Sequence, residues 1–193
     1  MPAPTPVDVL HAEYAMLQDR APSTLTRDER QSLIIYACEL AAEASADSVD
    51  AAPRHVTDWI STLFALESFV LQEGRMPREN RSVPTGSISV LEKQRANNVR
   101  AQRRAFAAGR LCTYQIRRLL CIPGFSFQPL EDNWQANCAA YARFTATHGA
   151  APKLRSTDPS EQALARWAAK TRLAYRAGTL SAARIDALTH LEF

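Results

Sequence analysis

The 193-residue chain is poor in lysine: Lys93, Lys153 and Lys170 stand against twenty arginines. With alanine abundant, this has the look of a high-GC genome, so no single arginine signals selection for guanidinium geometry. Glycine is scarce, at six residues, within an otherwise ordinary globular composition. No apolar run approaches the ~18 residues of a membrane span. The opening MPAPTPVDVLHAEY lacks a basic n-region and an apolar core, so it does not read as a secretory signal. A cytoplasmic protein with no membrane partner is expected. Cys38, Cys112, Cys121 and Cys138 lie far apart with no C-x-x-C pair, which favours small buried hydrophobes over disulfides or zinc. His11, His55, His148 and His190 are equally scattered and no H-E-x-x-H occurs, so no metal is assigned. No carboxylate pair, Ser-His-Asp order or Cys-His arrangement stands out. Asp28 with Glu29, and Glu131 with Asp132, sit where helix N-termini favour negative charge. A non-enzymatic protein without a cofactor is expected.

What is present is charge asymmetry. Residues 1–74 carry four basic and twelve acidic side chains. Residues 75–118 carry eleven basic and two acidic ones, and residues 119–193 eight and six. A basic block inside a nearly neutral chain points to a polyanion partner better than the total of +3 does.

The chain also repeats itself. AGRLCTYQIRRLLCI at 108–122 and AGTLSAARIDALTHL at 177–191 place Gly, Leu, Ile and Leu at the same offsets. Upstream, Trp59, Leu63, Leu66 and Phe69 have the 4-3-3 spacing of Trp134, Cys138, Tyr141 and Phe144, one face of a helix in each case. Gly74 and Gly149 follow as helix caps, and Pro77 and Pro152 keep the helices from resuming. A second helix is predicted over roughly 87–108 and from Asp158 onward. In the later copy Asp158 is the N-cap, Pro159 the first helical residue, Glu161 lies in the first turn, and Leu164, Trp167 or Ala168, and Tyr175 form the apolar stripe. Gly109 and Gly178 end these helices, and a short third helix carries Ile116 and Leu119, or Ile185 and Leu188. The earlier copy has six extra residues, placed in RENRSVPTGSIS.

The expected fold is all-α: two tandem three-helix repeats, 53–129 and 130–193, after an acidic N-terminal helical pair at 1–52. In that N-terminal region a helix from Thr26 to about Ala46 opens on a Thr26–Glu29 capping box, with apolar positions at Leu33, Ala37, Leu40 and Ala41. STLTRDERQSL at 23–33 aligns with GTLSAARIDAL, which reads as a degenerate half-repeat, and SADSVDAAPR reads as the boundary.

The string of Trp, an aromatic ten residues on, Gly, Pro, then R-x-x-[FY]-x-x-G-x-L-x-x-x-x-I-x-x-L resembles the helicase-associated domain. The later copy carries Trp134, Phe144, Gly149, Pro152, Leu164, Trp167, Arg172, Tyr175, Gly178, Leu180, Ile185, Leu188 and Phe193. The earlier carries Trp59, Phe69, Gly74, Pro77, Arg103, Phe106, Gly109, Leu111, Ile116, Leu119 and PGFSF, but has Asn98 at the mid-helix tryptophan. The resemblance implies tandem helical repeats that bind nucleic acid, DNA first and RNA second. The G-x-x-x-x-G-K-[ST] of a helicase motor is missing and the chain is too short for one, so a stand-alone bacterial or bacteriophage regulator or accessory factor of DNA metabolism is expected.

The candidate contact surface is the second helix of the earlier copy. Lys93, Arg100 and Arg104 share one face, Arg95 and Arg103 an adjacent strip, and Arg110, Arg117 and Arg118 extend the charge. Lys170, Arg172, Arg176 and Arg184 are their candidates in the later copy. If the glycine turn made a helix-turn-helix, Gln115, Arg117 and Arg118 would face base edges, with Thr113 or Tyr114 on phosphates; a plain helical hairpin is the alternative. Arg103 and Arg172, matched between copies, suit a structural ion pair equally well. Trp59, Trp134 and Trp167 fit core packing better than base stacking. The same basic block would also serve pairing with the acidic N-terminal 74 residues. A protein-interaction module, with a partner on the N-terminal helices, is the alternative function.

Overall fold

The computed structural model describes residues 3–44, 53–78, 88–189 and 191, and every regular element among them is helical. The helices are α1 (Pro6–Gln18), α2 (Arg27–Ala44), α3 (Arg54–Glu73), α4 (Val90–Ala107), α5 (Thr113–Leu120), α6 (Pro129–His148), α7 (Pro159–Arg176) and α8 (Ala182–Thr189), with a 3₁₀ turn at Pro22–Thr24. The chain divides into two compact units, Met1–Phe127 and Gln128–Phe193. The all-helical expectation holds. The six-residue insertion, the SADSVDA boundary, Ala46, Ser87 and Phe193 lie outside the described residues.

Local chemistry sets the helix ends. Thr5 and Asp8 form a reciprocal capping box on α1, and Thr26 with Glu29 does the same at the start of α2. Ser89 caps α4 by accepting from the Glu92 N–H, and Asp158 caps α7 by accepting from Ser160. Gly74 and Gly149 close α3 and α6 at φ of 64° and 63°, a left-handed conformation that a side chain disfavours. The triplets α3–α5 and α6–α8 have the same helix lengths, 20, 18 and 8 residues.

In the first unit α3 runs antiparallel to α4: Trp59 meets Gln102, the Arg95 Nε donates to the Ala65 carbonyl, and Arg75 pairs with Glu92. Trp59, Leu63 and Leu66 are buried, and Phe69 packs at the margin of the same core. Helices α1 and α2, read from sequence within a separate region at 1–52, share this core through Leu10, Tyr14, Ile35 and Tyr36. The buried face of α2 is Ser32, Ile35, Tyr36 and Glu39; Ala37, read as an apolar stripe position, is exposed. α2 runs 18 residues where α8 runs eight, so the likeness of their opening strings ends with the first turns.

Two of those α2 positions are polar, and they meet α5. Arg118 is 2% exposed. Its Nε donates to Glu39 at 2.6 Å, and its two terminal nitrogens donate to Glu67. Burial works against its charge, but Glu67 and Glu39 more than offset that and hold the guanidinium above the ordinary arginine range. Burial pushes the Glu39 carboxyl up, against the donors Arg118 and Tyr114. Tyr114 gives its one proton to Glu39 at 2.9 Å, so the 3.0 Å contact from His11 Nε2 is made with that nitrogen as donor. Tyr14, Tyr36 and Tyr114 close around the network with ring centroids 4.7 to 5.8 Å apart.

The second unit is simpler. Tyr141 packs against Leu164 and Ala168, Trp167 lies between Trp134 and Tyr141, and Leu188 of α8 closes on Trp134 and Cys138. The predicted stripe of α7 fails at Tyr175, which is 54% exposed; Ala165 and Thr171 are buried. Trp134 also has a buried indole N–H with no partner among the described residues, whereas Trp59 donates to Gln102. The thirteenth residue of α7 is Thr171, too short to do what Gln102 does at the thirteenth position of α4.

The Arg118 network predicts a large cost for removing one partner. Glu39→Ala leaves the guanidinium with Glu67 alone, and urea denaturation should show a loss of about 3 kcal/mol. A loss under about 1 kcal/mol would mean that the pair carries no structural weight.

Candidate nucleic-acid interface

The predicted basic residues separate into three groups by what they touch. The first is exposed. Lys93 and Arg104 have no side-chain partner among the described residues, and Arg100, also exposed, bonds Asn97 on its own helix. With 1.5 Å rise per residue, Lys93 to Arg104 forms a row about 16 Å long on the outer face of α4. Arg110 continues it in the glycine turn, exposed and without a partner among the described residues. The one carboxylate of α4, Glu92, is turned away: Arg75 and the Arg78 N–H hold it, and they keep its carboxyl below the ordinary glutamate range.

The second group is fixed within its own unit. Arg95 donates to the Ala65 carbonyl and lies over the Phe69 ring; Arg103 donates to the Ser126 carbonyl. Both are half-buried. Arg172 reaches the Tyr141 hydroxyl at 3.1 Å. The matched pair Arg103 and Arg172 thus does internal work in both units. Arg184 bonds Glu131 at 2.9 Å and stacks over the Trp134 ring at 4.6 Å, tying α8 to α6. Arg117 is exposed but paired with Glu13 of α1.

The third group is a correction. Arg118 and Gln115, assigned to base edges, are buried at 2% and 8% exposure. Gln115 accepts from the Cys112 N–H as part of the cap of α5. The N-terminus of α5, assigned to phosphates, is also occupied. The Thr113 N–H donates to Asp28 and the Tyr114 N–H to Ser32. Side chains of α2 therefore satisfy the amides that a helix-turn-helix would offer to DNA. A signal existed in the sequence: Arg118 lies four residues after Tyr114, and Glu39 lies three after Tyr36 on an apolar face.

In the second unit, Lys170 and Arg176 are exposed on α7 without partners among the described residues. Sequence reasoning missed Arg166, one turn before Lys170 and exposed, which bonds Gln162 of its own helix. It also missed Arg143 on α6, exposed and unpartnered among the described residues. The spacing 166–170 on an amphipathic helix was available to find the first.

Residues 131–193 match the family model of the helicase associated domain. The match lies within the second unit and covers 63 of the 193 residues. The earlier triplet lies outside the match. No curated protein and no solved structure matches the chain. No described helix is long and apolar enough to cross a membrane.

Two outcomes follow. Lys93→Glu with Arg104→Glu should leave the unfolding free energy within about 0.5 kcal/mol of wild type, as partnerless surface changes do; Arg118→Glu should not fold, which circular dichroism and size exclusion will report. The Glu131 carboxyl is held below the ordinary glutamate range chiefly by Arg184 and then by Gln135. A carboxylate depressed in the folded state contributes stability above its unfolded pKa and loses it as pH falls. The melting-temperature gap between wild type and Glu131→Gln should therefore be present at pH 7 and close below about pH 4.

Proposed function

We propose that the protein is a non-enzymatic nucleic-acid-binding factor, acting on DNA, that makes its contacts with the second helices of its two helical triplets. In this reading α3–α5 is a divergent second copy of the helicase-associated domain, supported by helix lengths equal to those of α6–α8 and by the glycine caps at matching positions. The observation that carries the function is the exposed row Lys93, Arg104 and Arg110, which faces solvent while the only carboxylate of α4 is engaged elsewhere. Such a row suits phosphates, and release of their counterions would drive binding. Base edges are not addressed by α5, so the contacts position the protein rather than read sequence. A bacterial or bacteriophage accessory factor of DNA metabolism fits this reading. The protein-interaction alternative finds less support, because Glu13, Asp28, Glu29 and Glu39 of the N-terminal helices are engaged within the unit.

Fluorescence anisotropy with a labelled 20-bp duplex at two salt concentrations tests the proposal. Affinity should fall steeply with salt. The triple change Lys93→Glu, Arg104→Glu and Arg110→Glu should weaken binding and flatten the log–log slope by up to about 2.7, at roughly 0.9 for each phosphate that is no longer neutralised. An unchanged slope would refute the site.

A further inference from the structure

Phe106 and Tyr175 are the seventeenth residues of α4 and α7. The two helices end around them with the same hydrogen bonds. Gly109 N–H returns to the Phe106 carbonyl at 2.9 Å, and Gly178 N–H to Tyr175 at 3.0 Å. The next amides reach further back, Arg110 to Ala105 at 2.9 Å and Thr179 to Ala174 at 3.0 Å. Each backbone thus presents its ring from the same point of the same turn.

What the rings meet differs. Phe106 lies flat on Phe127, with centroids 4.1 Å apart and planes within 20°. Phe127 is braced edge-on by Phe125. This position therefore accepts a planar partner face to face. Tyr175 is 54% exposed and contacts no other ring among the described residues. Beside it Arg176 is exposed and unpartnered among the described residues, and so is Lys170 on the same helix. The only carboxylate of α7, Glu161, is in the first turn and engaged by Ser156 and the Lys153 N–H.

We infer that Tyr175 is a stacking platform for a base of single-stranded nucleic acid, with Arg176 and Lys170 on the flanking phosphates. An exposed ring with Arg176 next to it in sequence and Lys170 earlier on the same helix, at a position that stacks a flat partner elsewhere in the same chain, suits a nucleobase with phosphates on either side. An unpaired base is required, since in a duplex both faces of each base are covered by its neighbours. The inference rests on the nucleic-acid reading above and adds strand state to it.

The test compares the full-length protein with Tyr175→Ala, Tyr175→Phe and Tyr175→Trp, by anisotropy with labelled dT20 and with a labelled 20-bp duplex at one salt concentration. Tyr175→Ala should weaken dT20 binding about tenfold or more and change duplex binding less than twofold. Tyr175→Phe should stay within about twofold of wild type, and Tyr175→Trp should bind dT20 at least as tightly. Equal losses on dT20 and duplex, or no loss on dT20, would overturn the platform while leaving salt-dependent duplex binding intact. Failure of the wild type to bind either probe would overturn the nucleic-acid reading itself, and the platform with it.

Discussion

Arg118 is the constraint on which the first unit is organised. It is the sixth residue of an eight-residue helix and lies one turn from Tyr114, so packing the tyrosine also carries the guanidinium inside. A buried cation left alone would cost several kcal/mol. Glu67 of α3 and Glu39 of α2 meet it from sequence distances of 51 and 79 residues, and in doing so they fix three helices against one another. The rest of the α2 contact follows from that placement: with Glu39 at Arg118, Ser32 and Asp28 fall two and three turns earlier, at the first amides of α5, which have no acceptor within their own helix. The sixth residue of α8 is Ala187. It brings no charge inward and needs no acidic helix to receive it. One position, arginine in one triplet and alanine in the other, thus accounts for why α3–α5 is built together with an N-terminal helical pair and α6–α8 closes on a few aromatic rings and Leu188.

The same constraint redistributes charge. The basic block of 75–118 suggests one continuous surface, but its members do three kinds of work. Arg118 is internal, Arg95, Arg103 and Arg117 hold neighbouring segments, and the side chains of Lys93, Arg104 and Arg110 make no hydrogen bond or ion pair among the described residues. Exposed ion pairs such as Arg117–Glu13 are screened by solvent, so they organise geometry more than they stabilise it. The cations without such pairs keep their full hydration and counterions, and these are what a polyanion would displace.

Periodicity made the helices legible. The 4-3-3 aromatic spacing, the glycines at 74 and 149 and the Asp158-Pro159 start each mark a local event that tertiary contacts did not override. The disposition of the charges was legible only in part. A helical wheel gives the face on which a residue sits, but an arginine on an apolar face reads as exposed because burial of charge is rare without a partner. The partners lay far off in sequence, Glu67 on α3 and Glu39 on an α2 face whose polar positions, Ser32 and Glu39, hid its inward direction. Tyr175 departs in the opposite sense. It continues the apolar stripe of α7, yet it is exposed and no ring covers it among the described residues, whereas Phe127 covers Phe106.

Both triplets leave their second helices decorated with cations, but at different positions. On α4 these are the fourth, eleventh and fifteenth residues; on α7 they are Arg166, Lys170 and Arg176, the eighth, twelfth and eighteenth. Base readout demands side chains at fixed heights against fixed edges, and a repeat that kept such a code would keep its register. Phosphates are spaced regularly along any strand and accept a guanidinium from many directions, so a contact made through them tolerates drift along the helix. The loss of register between the two rows, with the helical frame around them retained, is therefore the pattern that sequence-independent backbone contact would leave. The same freedom would let one triplet carry an open ring at its helix end without altering the other.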